Sequence, residues 1–523
     1  MKRRILMALS TAGAIGLAVL MTFPAMTVTN RDPQKGNGHP HGSIPPGLEQ
    51  EIQRVEAEVD RVEQQALAQW QALPVTSSTR MQQVRILGKL LLFDKNLSVN
   101  RNEACSFCHM PETDFTGPIP LLNATTVSYP GSVRSRFGHR KPQSYTYAPF
   151  YPVLQYNQTQ QDFYGGNFWD LRATGYKLQN PAAEQALDPP VDPNEMAMPD
   201  TACVVHRVSE SQYRSLFETV WGVQAFVIKW PSNAAEVCSR PGPPSARDPF
   251  PVHLSKEDRG RADSTYDQFG LSIALYEASP EVSPFTSKFD YALAHPDQPV
   301  LSPDELAGWN LFRGKAICNT CHLDGTASTA KQTNPSPLKP ADAASVAPLF
   351  TDFTSANLGL PKNLAVPYYD ENKPDKYGYA PNPVGLSFID KGVGDFLRGP
   401  GNPDSDWKQY AESFDGKFPT STLRNVDKRP RPDFVKAYMH NGYLKSLKEV
   451  VHFYNTRDVL PRCKGADDPG QKVSCWPVPE VAVNVDQTVG RLGLTDKEED
   501  QIVVFLTTLT DGYVPPTAKQ TLP

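Results

Sequence analysis

Cys105-Ser106-Phe107-Cys108-His109 and Cys318-Asn319-Thr320-Cys321-His322 repeat one pattern, C-x-x-C-H, once in each half of the chain. The pattern is the attachment signature of a c-type haem. Two thiols at this spacing add across the two vinyl groups of one haem, and the adjacent histidine then reaches the iron as its proximal ligand. Zinc would want four such ligands grouped together, and these two sets lie far apart. A redox C-x-x-C pair needs no following histidine. The two motifs therefore imply two covalently bound haem c groups, one on Cys105, Cys108 and His109 and one on Cys318, Cys321 and His322.

Each motif is led in by the same arrangement, a helix and then a short loop, over residues 87–109 and again over 306–322. The other four cysteines, Cys203, Cys238, Cys463 and Cys475, should pair locally in an oxidising compartment, 203 with 238 and 463 with 475. Export is written at the N-terminus. Lys2, Arg3 and Arg4 precede an uncharged run over residues 5–23. That run fits a cleaved signal peptide or a retained membrane anchor within residues 1–29. Either way the body lies in the periplasm or on the outer face of the cytoplasmic membrane, with the basic cluster left inside.

The 523-residue chain has a net charge of only −5, so nothing suggests a nucleic-acid partner. Its 50 prolines, spread over several stretches, imply long ordered loops. Residues 36–43 read as a linker. Residues 48–70 read as a helix whose Leu48, Ile52, Val55, Val59, Val62 and Ala66 form a seam close to a heptad. Such a seam packs on its own body or pairs two copies as a homodimer. Capping boxes at Ser209–Gln212, Ser302–Glu305 and Thr495–Glu498 each predict a helix start. The expected fold is mainly α, with two cytochrome c-like domains at 80–290 and 291–515, preceded by the linker and helix of residues 30–79.

Further motifs accompany the two haem signatures. They include Leu87-Gly88-Lys89-Leu90-Leu91-Leu92-Phe93-Asp94, Phe168-Trp169-Asp170-Leu171-Arg172-Ala173, Glu184-Gln185-Ala186 with Pro189, and Pro193-Asn194-Glu195-Met196. In the second half they are Leu423-Arg424-Asn425, Tyr438-Met439-His440-Asn441-Gly442 and Leu447-Lys448-Glu449-Val450-Val451. From about residue 84 to 512 the chain resembles the bacterial di-haem cytochrome c peroxidase and MauG family. It departs from that family at Leu171, which stands where the family has glycine.

The resemblance implies a peroxide-reactive haem on His109 and an electron-transfer haem on His322. Glu195 then takes the place of the acid–base carboxylate over the first haem, and Gln185 and Pro189 line the same face. A carboxyl in an apolar pocket can take a proton from one peroxide oxygen and give it to the other. Trp169 takes the place of a relay between the haems, His440 that of a hydrogen-bonding neighbour of the second haem, and Arg424 that of a propionate partner. An inter-haem calcium ion is part of the family pattern, but Thr146 or a neighbour stands where its asparagine ligand belongs. His139 is either a gating ligand of the first haem or a surface residue.

The second iron needs a sixth ligand. The peroxidase branch uses a methionine after the Y-M-H-D-G histidine, and the chain has none after Met439. Counted from His440, that position is Tyr454, where the MauG branch has tyrosine; His452 is a competing ligand. The resemblance implies an enzyme that reduces hydrogen peroxide with electrons from a small redox protein, a c-type cytochrome or a cupredoxin. The alternatives are MauG-type oxidation of a partner protein's side chains and a di-haem electron carrier.

Overall fold

A computed structural model describes residues 46–74, 79–325, 347–465 and 467–516. The export segment and the linker of residues 36–43 lie outside the described residues. Among the described residues no helix is long and apolar enough to cross a membrane.

Helix α1, Pro46–Ala72, carries the heptad-like seam. Leu48, Ile52, Val55, Val59, Val62 and Ala66 are all buried, in one core with α2, Arg80–Phe93. The seam is thus closed against the protein's own body and is not left free for a second copy. Each of the leucine, isoleucine and valine side chains contributes about 1.5–3 kcal/mol on burial.

Helix α2 opens on a capping box between Thr79 and Gln82 and buries Leu87, Leu90, Leu91 and Phe93. It crosses α5, Lys256–Glu277, at Gly88. A Cβ at Gly88 would sit 2.0 Å from Ser272 O, so only glycine lets the two backbones approach this closely. The second half repeats the device. Helix α6, Pro303–Arg313, packs on α8, Asp496–Thr507, and a Cβ at Gly308 would sit 1.9 Å from Gln501 O. In both halves the glycine-crossed helix is followed by a short loop and then the C-x-x-C-H segment.

Two large apolar cores follow this division. One gathers buried residues from Leu48 to Val282; the other gathers Phe289, Phe312, Phe350, Phe453, Trp476 and Phe505. Strands are few: β1 Gln155–Asn157 pairs with β2 Asp162–Tyr164, and β3 Ser355–Ala356 with β4 Phe418–Pro419, both antiparallel.

The capping boxes at Ser302 and Thr495 form as expected. The one at Ser209 does not. Ser209 is the last residue of α3, Thr201–Ser209, and its hydroxyl donates back to His206 O. Helix α4, Arg214–Trp221, starts instead at Tyr213, with no side-chain cap. The Tyr213 hydroxyl is anchored on Asp94 at 2.6 Å in the core, and that burial sets the start of α4. Cys203–Cys238 and Cys463–Cys475 are both disulfide-bonded, as the local pairing expected.

Candidate active site

The first haem motif is a single helical turn, Cys105–Cys108, followed at once by His109. None of the four motif cysteines pairs with another.

The two histidines are set identically. His109 Nδ1 lies 2.8 Å from Phe115 O, and His322 Nδ1 lies 3.0 Å from Phe350 O. A carbonyl can only accept, so Nδ1 carries the proton in each ring. Burial holds His109 down to about 4 and lowers His322 as well, so both rings are neutral. Each therefore keeps a free lone pair on Nε2, the atom a metal takes. Paired thiols with a neutral, carbonyl-anchored imidazole fit a c-type haem at both places.

His109 lines a narrow cavity together with Tyr145, Gln185, Pro189, Glu195 and Glu277. Gln185 ends a short helix, Pro181–Gln185, capped by Asn180. Its neighbour Glu184 turns away and accepts from Gly175 N and Leu178 N. The loop carrying Glu195 is fixed by its backbone: Ser132 N donates to Glu195 O at 2.7 Å, and Glu195 N donates to Asp192 O. Burial, and then repulsion from Asp192 and Asp188, pushes the Glu195 carboxyl up to about 8, against the pull of Arg172. The structure thus gathers Gln185, Pro189 and Glu195 in one cavity with His109.

Glu277 escaped the sequence reading. It ends α5, is 1 % exposed, and its Oε2 has no hydrogen-bond partner among the described residues. Burial alone pushes it well above the usual carboxylate range. The available signal was an acidic residue closing the apolar run Ile273-Ala274-Leu275-Tyr276.

His322 lines a larger cavity of about 250 Å³, whose walls include Cys318, Cys321, Trp169, His440 and Tyr454. Tyr454 lies on α7, Leu447–Thr456, on the face shared with Val450 and Val451. His452, two residues earlier, faces the other way: its Nδ1 lies 3.1 Å from Glu499 Oε1 on α8. That orientation removes His452 as the competing ligand. Trp169 donates its indole N–H to Lys141 O at 3.0 Å and meets the His440 ring edge-on at 6.5 Å. It lines the His322 cavity and not the His109 cavity.

Three expectations need correction. Arg424, read as a propionate partner, is 1 % exposed and forked onto Asp290 at 2.7 and 2.9 Å, with Nε on Pro348 O. Asp290 takes the fork that a propionate would use. His440 does not hydrogen-bond through its ring among the described residues; it stacks on Phe418 at 3.5 Å. His139 lines neither cavity. It sits between the Tyr368 and Phe388 rings with Nε2 3.6 Å from Asp390, so it is neither a gating ligand in this arrangement nor a free surface residue.

Residues 81–298 match the family model of the di-haem cytochrome c peroxidases. Over these residues the chain is similar to that family. Beyond them the likeness extends into the second half. The methylamine utilization protein MauG of Paracoccus denitrificans is 29% identical over 434 residues, 82% of this chain and 89% of that one. The cytochrome c551 peroxidase of Nitrosomonas europaea is 29% identical over 239 residues, 45% of this chain and 50% of that one. Among solved structures, the diheme peroxidase BthA of Burkholderia thailandensis shares the fold with a TM-score of 0.56 at 25% identity, covering 82% of this chain and 86% of that one.

Proposed function

We propose that the protein is an exported di-haem peroxidase that reduces hydrogen peroxide to water at the His109 cavity. Cys105, Cys108 and His109 would hold one haem c, and Cys318, Cys321 and His322 the other, in two cytochrome c-like domains spanning about 80–290 and 291–515. A bound haem supplies the iron that accepts electrons from a donor and passes them to peroxide.

The observation that carries this reading is the convergence of Gln185 and Glu195 on the cavity of His109. Reduction of one peroxide consumes two electrons and two protons and gives two waters, so a group beside the reacting oxygens must move protons. With its carboxyl pushed up to about 8, Glu195 exchanges a proton readily near neutral pH. Gln185 offers an amide N–H to hold peroxide, and Pro189 keeps water from crowding the same face. Trp169, on the wall of the His322 cavity, would relay electrons toward the His109 site. The physiological donor would be a small c-type cytochrome or cupredoxin in the periplasm.

A second reading rests on Tyr454. An anionic oxygen ligand at the second haem would lower its potential relative to methionine, which disfavours ordinary cytochrome donors and favours peroxide-driven oxidation of a partner protein, as MauG's kinship suggests. A steady-state assay with a reduced c-type cytochrome and hydrogen peroxide separates the readings. Rapid donor oxidation supports the peroxidase. Peroxide consumption without donor turnover supports the MauG type, and neither reaction would leave a di-haem electron carrier.

A further inference from the structure

In the wall of the His322 cavity the protein buries a cation of its own. Lys436 is 6 % exposed. Its Nζ donates to Asn425 O and to Lys428 O, each at 3.1 Å, and lies 4.0 Å from Asp114 Oδ2. Asp114 is itself 4 % exposed, and its other oxygen accepts from Thr146 Oγ1 at 2.7 Å. Asp114 precedes Phe115, whose carbonyl anchors His109, while Asn425 follows Arg424 on the wall of the His322 cavity. The ammonium therefore ties a segment of one haem site to a segment of the other.

Two backbone carbonyls, a carboxylate and a threonine hydroxyl are hard oxygen groups of the kind a calcium ion collects. Thr146 or a neighbour also marks where the family resemblance puts a calcium ligand. The residues present do not suit that ion. Calcium needs about six to eight oxygens at about 2.3–2.6 Å, and Nζ already takes the two carbonyls and faces the carboxylate. Lys141 adds a half-buried amine, on Thr116 Oγ1 and Pro142 O, in the wall of the His322 cavity; burial, and then Lys436, hold it down to about 7. A divalent ion would face the Lys436 charge across a medium of low polarity.

We propose that the Lys436 ammonium occupies the inter-haem position where the family pattern has calcium, so that this protein joins its two haem sites without a metal ion there. The charges suit the task near neutral pH. Burial pushes Lys436 down to about 8 despite Asp114, and burial pushes Asp114 up to about 6 despite Lys436, so between those values both are ionised. Unlike a bound metal, a side-chain cation cannot dissociate or be chelated.

The test uses the purified holoprotein. After dialysis against EGTA, elemental analysis should find calcium far below one atom per chain. The absorption spectra of both haems and the thermal midpoint should be the same with EGTA and with added calcium chloride. One calcium per chain, or a haem spectrum that EGTA alters and calcium restores, overturns the proposal. Lys436→Met keeps the length and removes the charge. It should lower the thermal midpoint and disturb the haem spectra; a variant identical to the parent in both also overturns the proposal. If the variant does not fold, the metal analysis of the parent still decides.

Discussion

Phe115 and Phe350 present their carbonyl oxygens to His109 and His322 through the same strained turn. Phe115 has φ +49° and Phe350 has φ +53°, left-handed values that a bulky residue rarely adopts. Holding a phenylalanine there costs on the order of 1–3 kcal/mol. Each chain reversal aims one carbonyl at one imidazole, at 2.8 and 3.0 Å. The histidines are thus equivalent in tautomer and anchoring, and any difference between the two sites must arise on the opposite wall of each cavity.

That equivalence makes paired substitutions informative. His109→Gly should abolish the reaction with peroxide. His322→Gly should leave peroxide binding intact and stop electron delivery from the donor. Stopped-flow absorbance after peroxide mixing, with and without reduced donor, reads both. Identical behaviour of the two variants would refute the division of labour.

Glu195→Gln preserves shape and removes the exchangeable proton. Both haems should remain attached, and the rate of reaction with peroxide should fall by about 10²–10⁴, the usual loss of a general acid–base group. The rate constant for peroxide-induced spectral change checks this. An unchanged constant takes Glu195 out of the proton path and leaves Glu277 and Glu103, in the same cavity, as the buried carboxyls to examine.

The glycine crossings predict steric failure of similar size in the two halves. Gly88→Ala and Gly308→Ala each drive a methyl group against a backbone carbonyl, of Ser272 and of Gln501. Overpacking of this kind costs about 1–3 kcal/mol or more. Chemical denaturation should show each variant less stable than the parent. Stability equal to the parent would mean that the helices separate without cost.

Glu63 gives a pH test of how α1 is held. Burial first, and then Asp94 and Asp60, raise its carboxyl from 4.5 to about 7, partly offset by Lys95. The folded state binds this proton more tightly than the unfolded state does. Stability from this group is therefore full below about pH 4.5 and is lost as pH rises toward about 7. Glu63→Gln cannot ionise and should remove this part of the slope. Thermal midpoints of parent and variant measured near pH 4.5 and near pH 7 compare the two; parallel slopes would place Glu63 in solvent.

Much of this was legible in the chain. The C-x-x-C-H motifs, the seam of α1, the boxes at Ser302 and Thr495 and both disulfides follow from local spacing, and local spacing is what a sequence displays. What was missed depends on distance in the chain. Phe350 lies far from His322 in sequence, so its anchoring role has no local signature, unlike that of the nearby Phe115. Arg424 sits in a motif that suggests a propionate, yet its partner Asp290 comes from a distant helix start. His139 stands in a basic run that reads as surface until Tyr368, Phe388 and Asp390 fold over it.

Tyr454 supplies the sharpest test, because the sequence offers an alternative that the structure removes. His452 is turned onto Glu499, while Tyr454 faces the cavity of His322. Its half-buried ring lines that cavity, and no hydrogen bond holds the hydroxyl among the described residues. Burial raises its pKa, so without a metal the group stays a neutral phenol. A ferric iron would displace that proton, as metals do from their ligands. The resulting phenolate is a hard anionic donor that favours ferric over ferrous iron and lowers the potential. Tyr454→Phe keeps the ring and removes the oxygen, so the second haem should change from low-spin to high-spin or take water as its sixth ligand. Tyr454→Met should restore a low-spin haem at a higher potential. Electron paramagnetic resonance of the resting protein and a spectroscopic redox titration measure the two effects. If Tyr454→Phe leaves the spectrum of that haem unaltered, the tyrosine is packing alone, and the MauG-type reading loses the residue that favours it.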